Sequence, residues 1–130
     1  MMSENFTVEI ISPDKSVLKM ETAEVTIPSY EGQMGILKDH ISIITFLKPG
    51  LITIKDNEKE KKVFVEEGTV EFSNNILLIL SSTAKILENI DKSKINEILN
   101  EAENKLKSEE ISDKERYFLS HKVNTLREIN

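Results

Sequence analysis

The chain reads EGQMGILKDH at residues 31–40 and LKPG at residues 47–50, inside a half of the sequence that is rich in strand signals. The two stretches bring two glycines, a histidine and a Pro-Gly turn close together. Because glycine allows positive φ or a close backbone approach, Gly32 and Gly35 predict a tight loop. The stretch lacks the Lys-Ser/Thr ending of a phosphate loop and the third glycine of a dinucleotide fold, which argues against both kinds of site.

Short apolar runs surround this stretch, and turn residues separate them. Strands are predicted at residues 6–10, 17–20, 23–27, 41–47, 51–54, 63–65, 70–72 and 76–80. Pro28 is expected to end the third strand, and the fourth is expected to be buried on both faces. Asn74 and Asn75 predict a hairpin turn, since asparagine tolerates positive φ. This pattern is typical of an all-β sandwich or flattened barrel.

Near residue 89 the apolar spacing changes to that of a helix. One apolar stripe consists of Ile95, Ile98, Leu99, Ala102 and Leu106, and a second of Leu119, Val123 and Leu126. Asp91 is predicted to cap the first helix, and Ser112 with Glu115 forms a capping box for the second. We therefore expect a β-sandwich domain at residues 1–88 and an antiparallel two-helix hairpin at residues 89–130.

Composition excludes several classes of function. The 130 residues include no cysteine, so disulfide scaffolds, thiol nucleophiles and thiolate metal sites are excluded. The net charge of −6, without a basic face, argues against nucleic acid as a partner. The longest apolar run, residues 76–80, is too short to span a bilayer, so direct membrane insertion is not expected. Residues 1–5 show no signal or transit peptide pattern, which favours a bacterial protein.

The two histidines do not predict a catalytic or metal site. His40 and His121 lie in different halves of the chain, whereas a metal site gathers several ligands. Asp39 precedes His40, but neighbours along a strand point to opposite faces, so the carboxylate is poorly placed to orient the imidazole. We predict no catalytic residue, no bound metal and no cofactor, with His40 in a structural or interface role.

In order and spacing, these elements resemble the epsilon subunit family of the F-type ATP synthase. The resemblance rests on residues 31–37, His40, residues 47–50 and the glycine-then-strand element at residues 67–71, and it covers nearly the whole chain. The family often has proline where Lys38 and Ser42 stand. The resemblance implies a non-catalytic central-stalk subunit that joins gamma to the c-ring and couples proton flow to ATP synthesis.

The resemblance also implies three sets of contact residues. The c-ring would be met by Glu31, Gly32, Gln33 and Met34. The gamma subunit would be met by His40, Ile41 and Ser42. The alpha and beta subunits of the catalytic head would be met, through the C-terminal hairpin, by Arg116, Lys122 and Arg127. In that last contact the helices would restrain ATP hydrolysis.

Some bacterial members of the family bind ATP through an Ile/Leu-Asp-x-x-Arg-Ala motif, from which this chain departs. Asp91 is present, but Lys94 replaces the arginine and Ile95 the alanine. Lysine cannot reproduce the bidentate guanidinium contact with phosphate, so we predict no nucleotide at Asp91 and Lys94.

Two alternatives to the stalk function stay open at this point: an ATP-sensing regulatory subunit, and a generic β-sandwich adaptor unrelated to rotary machinery. For the stalk subunit we expect a peripheral position on the cytoplasmic face of the bacterial inner membrane, and a monomer when the chain is isolated.

Overall fold

The computed structural model describes residues 4–129. Within them the elements are β1 (Phe6–Ile11), β2 (Ser16–Thr22), β3 (Glu24–Ser29), β4 (Gly32–Leu37), β5 (Ile43–Leu47), β6 (Gly50–Asp56), β7 (Lys59–Val65), β8 (Gly68–Ser73), β9 (Ile76–Leu80), β10 (Lys85–Ile86), a 3-10 turn (Leu87–Asn89), α1 (Lys92–Leu106) and α2 (Asp113–Ile129). The predicted domain division falls inside the 3-10 turn and stays a prediction.

The strands form one sheet that folds over on itself as a β-sandwich. Its order is β10-β7-β6-β3-β5-β8-β9-β1-β2, with β4 also paired to β3. Neighbouring strands are antiparallel except β1 and β9, which are parallel. The inner side chains form one core that includes Val8, Ile27, Ile52, Phe72 and Ile79. The predicted sandwich followed by a helical hairpin is confirmed.

The helical hairpin packs on the outer face of β6 and β7. The buried side chains of the two predicted stripes, Ile95, Leu99, Ala102, Leu119, Val123 and Leu126, form a second cluster with Phe64 of β7. Ser112 caps α2, because its hydroxyl accepts a hydrogen bond from the Glu115 N–H at 3.1 Å. Asp91 occupies the N-cap position of α1, but within the described chain its side chain makes no capping hydrogen bond.

The prediction that Pro28 ends a strand was wrong. β3 continues through Pro28 to Ser29. Pairing with β6 stops at Thr26, so the missing proline N–H removes no hydrogen bond to that strand. The proline carbonyl instead accepts a hydrogen bond from the Lys48 N–H at 3.0 Å.

The predicted tight loop was also largely wrong, because β4 occupies most of it. β4 pairs with β3, and Gly35 lies opposite Thr26 in that pairing. Gly32 has the positive φ (117°) that the turn before β4 requires. Gly35 is an ordinary strand residue, and a Cβ built on it would meet nothing within 4 Å. The glycines therefore have different roles.

A candidate protein-docking surface

The outer face formed by β5, β8 and β9 is largely uncovered and carries large exposed apolar side chains on β5 and β9. Ile44 is 73% exposed and Phe46 60% exposed, although both stand in the middle of the sheet order. On β9, Ile76 is 51% and Leu80 47% exposed. We call this set of four side chains the bare face. The prediction that residues 41–47 are buried on both faces was wrong, since one face of β5 has nothing packed over most of its side chains.

Strand register brings these side chains together. Ile44 lies opposite Glu71 of β8, which lies opposite Leu78 of β9. Phe46 lies opposite Thr69, which lies opposite Leu80. Side chains directly opposite on one face are near neighbours, so Glu71 and Thr69 of β8 lie between the apolar side chains of β5 and those of β9. Exposed apolar side chains gathered on one face, with polar residues among them, mark protein-interaction sites in soluble proteins.

The bare face ends abruptly at β1. The outward side chains of β1 beside Ile76 and Leu78 are Thr7 and Glu9. The Thr7 hydroxyl donates to Glu21 at 2.8 Å, and Glu9 accepts from Ser16 at 3.4 Å. These polar pairs suit contact with water, so the apolar patch has a defined border.

The predicted gamma-contact residues border the bare face at the entry to β5. His40 is partly buried, and its ring packs edge-to-face against Phe72 with 5.9 Å between centroids. Its Nδ1 lies 2.7 Å from the Ile41 carbonyl oxygen. Ile41 is 75% exposed and Ser42 is exposed as well. The structure thus brings these residues next to Ile44, while nothing in it tests what they bind.

The predicted c-ring residues lie at the opposite end of β4. Glu31 and Gln33 are exposed, whereas Met34 packs against the sandwich core. The Ser29 hydroxyl donates to the Gly32 carbonyl at 2.7 Å and accepts from the Glu31 N–H at 3.2 Å. The turn is therefore ordered, and Glu31 and Gln33 are its outward polar groups.

The predicted head-contact cations all have acceptors inside the described chain. Lys122 Nζ lies 2.5 Å from Glu66 of the sandwich, and both side chains are about one-fifth exposed. Arg116 donates to the carbonyl oxygens of Leu106 (3.0 Å) and Ser108 (3.3 Å), at the C-terminal end of α1. Arg127 lies 3.5 Å from Glu103 of α1. The contact of Lys122 therefore joins the hairpin to the sandwich, whereas those of Arg116 and Arg127 stay within the hairpin.

An aromatic stack forms a second link between hairpin and sandwich. Tyr30, before β4, stacks on Tyr117 of α2 with 6.2 Å between centroids, and Tyr117 meets the His121 ring edge-to-face at 4.4 Å. Partial burial, and then the nearby positive charge of Lys48, lower the pKa of His121 below its ordinary value. Docking of the hairpin thus favours a neutral His121.

Asp91 and Lys94 lie exposed at the start of α1. Lys94 Nζ is 3.7 Å from Glu97 Oε2, and both side chains are more than half exposed. Within residues 4–129, no group of three or more histidine, cysteine or carboxylate side chains is placed to hold a metal ion. No described helix is long and apolar enough to cross a membrane.

The sequence did not predict the bare face because apolar residues stand on both sides of β5. The run at residues 43–47 contains Ile43, Ile44, Phe46 and Leu47, and such a run is typical of a strand buried on both sides. The available signal was Glu71 on the neighbouring strand, since a charged residue paired with Ile44 indicates a face open to solvent.

Comparison with known proteins gives the same result at the level of family and fold. The family described as ATP synthase, delta/epsilon chain, β-sandwich domain matches residues 5–86. The ATP synthase epsilon chain of Pelagibacter ubique is 48% identical over 130 residues, covering 99% of this chain and 100% of that relative. The epsilon chain of Afipia carboxidovorans is 31% identical over 105 residues, covering 81% of this chain and 77% of that relative.

Two solved structures share the fold. A chain of the Euglena gracilis mitochondrial ATP synthase, in a structure of OSCP, F1 and the c-ring, matches with a TM-score of 0.76 at 23% identity, covering 98% of this chain and 80% of that one. A chain of the Tetrahymena thermophila central stalk and c-ring matches with a TM-score of 0.66 at 14% identity, covering 98% of both.

Proposed function

Because the chain belongs to the ATP synthase delta/epsilon chain family, we propose that it joins the gamma subunit to the c-ring in the central stalk. In this role it turns with both partners and transmits torque without doing chemistry. The bare face of β5, β8 and β9 is the observation that carries the proposal. A side chain as large as Phe46 stays 60% exposed in the middle of a sheet, which fits a surface that a partner subunit covers.

The gamma subunit is the partner proposed for the bare face. Burying an exposed isoleucine or phenylalanine contributes roughly 1.5–3 kcal/mol each, so Ile44 and Phe46 suit the centre of an interface. Glu71 lies between the two apolar strands of the face and would select a partner with a cation at the matching place. His40, Ile41 and Ser42 extend the same contact at its border.

The c-ring is the partner proposed for the turn before β4. β4 has six residues, so Glu31 lies about 20 Å from His40 at the other end of the strand. This separation supports a subunit that holds two partners at once. Glu31 and Gln33 would make polar contacts with the ring, whereas Met34 keeps the turn anchored in the core.

We also propose that the hairpin regulates ATP hydrolysis by leaving the sandwich and contacting the alpha and beta subunits. In the docked hairpin, Lys122, Arg116 and Arg127 already have partners. The docked form is therefore the form that does not inhibit. Undocking frees Lys122 from Glu66, while Arg116 and Arg127 become free when α2 also separates from α1.

The partners would hold this chain at the cytoplasmic face of the bacterial inner membrane as a peripheral subunit. Its isolated form is proposed to be a monomer. The bare face would then be exposed until gamma covers it.

The docking proposal is tested by placing a charge on the bare face. Ile44→Glu is expected to weaken binding to purified gamma about 30-fold or more, because a carboxylate in the centre of an apolar interface loses hydration without a partner. Asn100→Glu adds the same charge at an exposed position of α1 and is the matched control. Titration calorimetry measures both. Equal affinities for Ile44→Glu and the unchanged chain would remove the bare face as the gamma site.

A further inference from the structure

We infer that Asn75 is a positioning residue for gamma binding, because its side chain fixes the loop that carries His40, Ile41 and Ser42. The inference rests on the proposed docking of gamma at the bare face. Asn75 itself lies in the β8–β9 turn, outside the predicted contact sets, and is distant in sequence from the loop that it holds.

Two hydrogen bonds join Asn75 to Asp39 in opposite directions. The Asp39 backbone N–H donates to Asn75 Oδ1 at 2.7 Å. The Asn75 Nδ2 group donates to Asp39 Oδ1 at 3.0 Å. A reciprocal pair fixes the orientation of the loop as well as its distance, because both the main chain and the side chain of Asp39 are held.

The backbone geometry of both residues suits this contact. Asp39 has φ 65° and Asn75 φ 60°, in the left-handed region that asparagine and aspartate enter more readily than other non-glycine residues. The Asn75 carbonyl oxygen also accepts a hydrogen bond from the Thr7 N–H at 3.1 Å. The residue is thus anchored to β1 through its main chain while its side chain holds the loop.

The held loop presents an apolar side chain beside the bare face. A hydrogen bond from the His40 N–H to the Leu37 carbonyl oxygen (3.1 Å) closes the turn after β4. Ile41, the residue after His40, is 75% exposed. Ser42 then leads directly into β5. Fixing such a loop before binding reduces the conformational entropy that is lost when a partner covers it.

Asn57 provides a matched control, because it shares the backbone conformation of Asn75 without its contact. Asn57 lies between β6 and β7 with φ 58°, and among residues 4–129 its side chain makes no hydrogen bond. Glycine adopts positive φ without strain, so Asn57→Gly and Asn75→Gly both keep the turn geometry. Only Asn75→Gly removes the two bonds to Asp39.

The first experiment compares these two variants in the full chain. Asn75→Gly is expected to speed hydrogen exchange of the Asp39 amide about tenfold or more, since that amide loses its acceptor. Its affinity for gamma should fall about three- to tenfold, the size of one ordinary hydrogen bond. Asn57→Gly should change neither quantity. Exchange is measured on the free chain, and affinity by titration with purified gamma.

Exchanging the side chains of residues 39 and 75 should restore the affinity for gamma. Asn75→Asp alone places two carboxylates together and should weaken gamma binding as Asn75→Gly does. In the double variant Asp39→Asn with Asn75→Asp, the new asparagine donates to the new carboxylate, and the backbone N–H of residue 39 keeps its acceptor. Affinity should return to within about twofold of the original. Thermal midpoints, taken in parallel, should stay nearly equal across the set, which a merely stabilising role would not give.

Each other outcome overturns the inference in a recognisable way. Unchanged exchange of the Asp39 amide in Asn75→Gly means that the pair does not hold the loop. Faster exchange with unchanged affinity means that the held loop does not serve gamma binding. If Ile44→Glu also leaves the affinity unchanged, the bare face is not the gamma site, and the proposed function fails with the inference.

Discussion

Phe64 and Phe46 both point outward from the same folded sheet, yet Phe64 is 2% exposed and Phe46 is 60% exposed. The face around Phe64, on β6 and β7, is covered by α1 and α2 of the same chain. Phe46 lies beside the hairpin, in a cavity that Tyr30 and Tyr117 also line, but nothing within residues 4–129 buries its ring to the same extent. The apolar surface around Phe64 is thus buried within the molecule, whereas the surface around Phe46 can be buried only by a second molecule.

The two faces therefore contribute to different properties: the covered face to the stability of the chain, and the bare face to its binding of a partner. Apolar area removed from water contributes roughly 25 cal/mol per Å², and at Phe64 this contribution stabilises the docked hairpin. At Phe46 the same area stays in water, so it can contribute when a partner binds. Changes at the covered face should therefore alter the free energy of unfolding, and changes at the bare face should alter affinity.

The largest expected effect comes from truncating the two phenylalanines. Phe64→Ala should lower the free energy of unfolding by about 3–5 kcal/mol, because it removes a buried ring and leaves a cavity under the hairpin. Phe46→Ala should change it by no more than about 0.5 kcal/mol, since most of the ring is already in water. Urea unfolding followed by circular dichroism measures both variants. Similar losses for the two would mean that the faces are equivalent in the free chain, which contradicts the comparison.

A smaller effect is expected from the ion pair that joins the hairpin to the sandwich. Lys122→Gln should destabilise the docked hairpin by about 1–2 kcal/mol, because it leaves the partly buried Glu66 carboxylate without its cation. Arg127→Gln breaks a pair within the hairpin whose arginine is 61% exposed, and should cost below about 1 kcal/mol. Limited proteolysis of α2, together with urea unfolding, reports both. A larger loss for Arg127→Gln would place the stronger electrostatic link inside the hairpin.

Much of this architecture could be predicted from local sequence patterns. Asn74 and Asn75 form the predicted turn with φ 52° and 60°, and the helix stripes are the residues buried against Phe64. The resemblance carried by residues 31–50 led to the ATP synthase epsilon subunit family, which the comparisons confirm. These features depend on side-chain spacing and backbone preference, so a single sequence reports them.

The parts that could not be predicted depend on contacts between distant segments. Gly35 belongs to a strand because β3 pairs with it, and glycine alone does not report that partner. The inner face of β5 is buried in the sandwich core, and its outer face stays exposed because the hairpin packs on β6 and β7 instead, which the composition of β5 does not reveal. The contact between Asp39 and Asn75 joins residues 36 positions apart. The sequence marked the Asn75 turn but not what its side chain holds.

The smallest expected effect is a pH dependence confined to the covered face. The pKa of His121 is lowered when the hairpin is docked, first by burial and then by the positive charge of Lys48. The docked form therefore binds fewer protons at this ring than the released form does. Docking has its full strength above the ordinary histidine pKa of about 6.5 and weakens as the pH falls below it.

The groups around His121 define how the predicted weakening of docking at low pH can be tested. Lys48 faces the ring from the β5–β6 turn, Tyr30 and Tyr117 complete the stack, and on α2 the adjacent Lys122 is paired with Glu66. Hydrogen exchange of α2 should therefore speed up between about pH 7 and about pH 5.5, after correction for intrinsic exchange rates. His121→Gln should flatten that dependence, and His40→Gln, at the border of the bare face, should leave it intact. A slope that survives in His121→Gln would assign the pH dependence to a group other than His121.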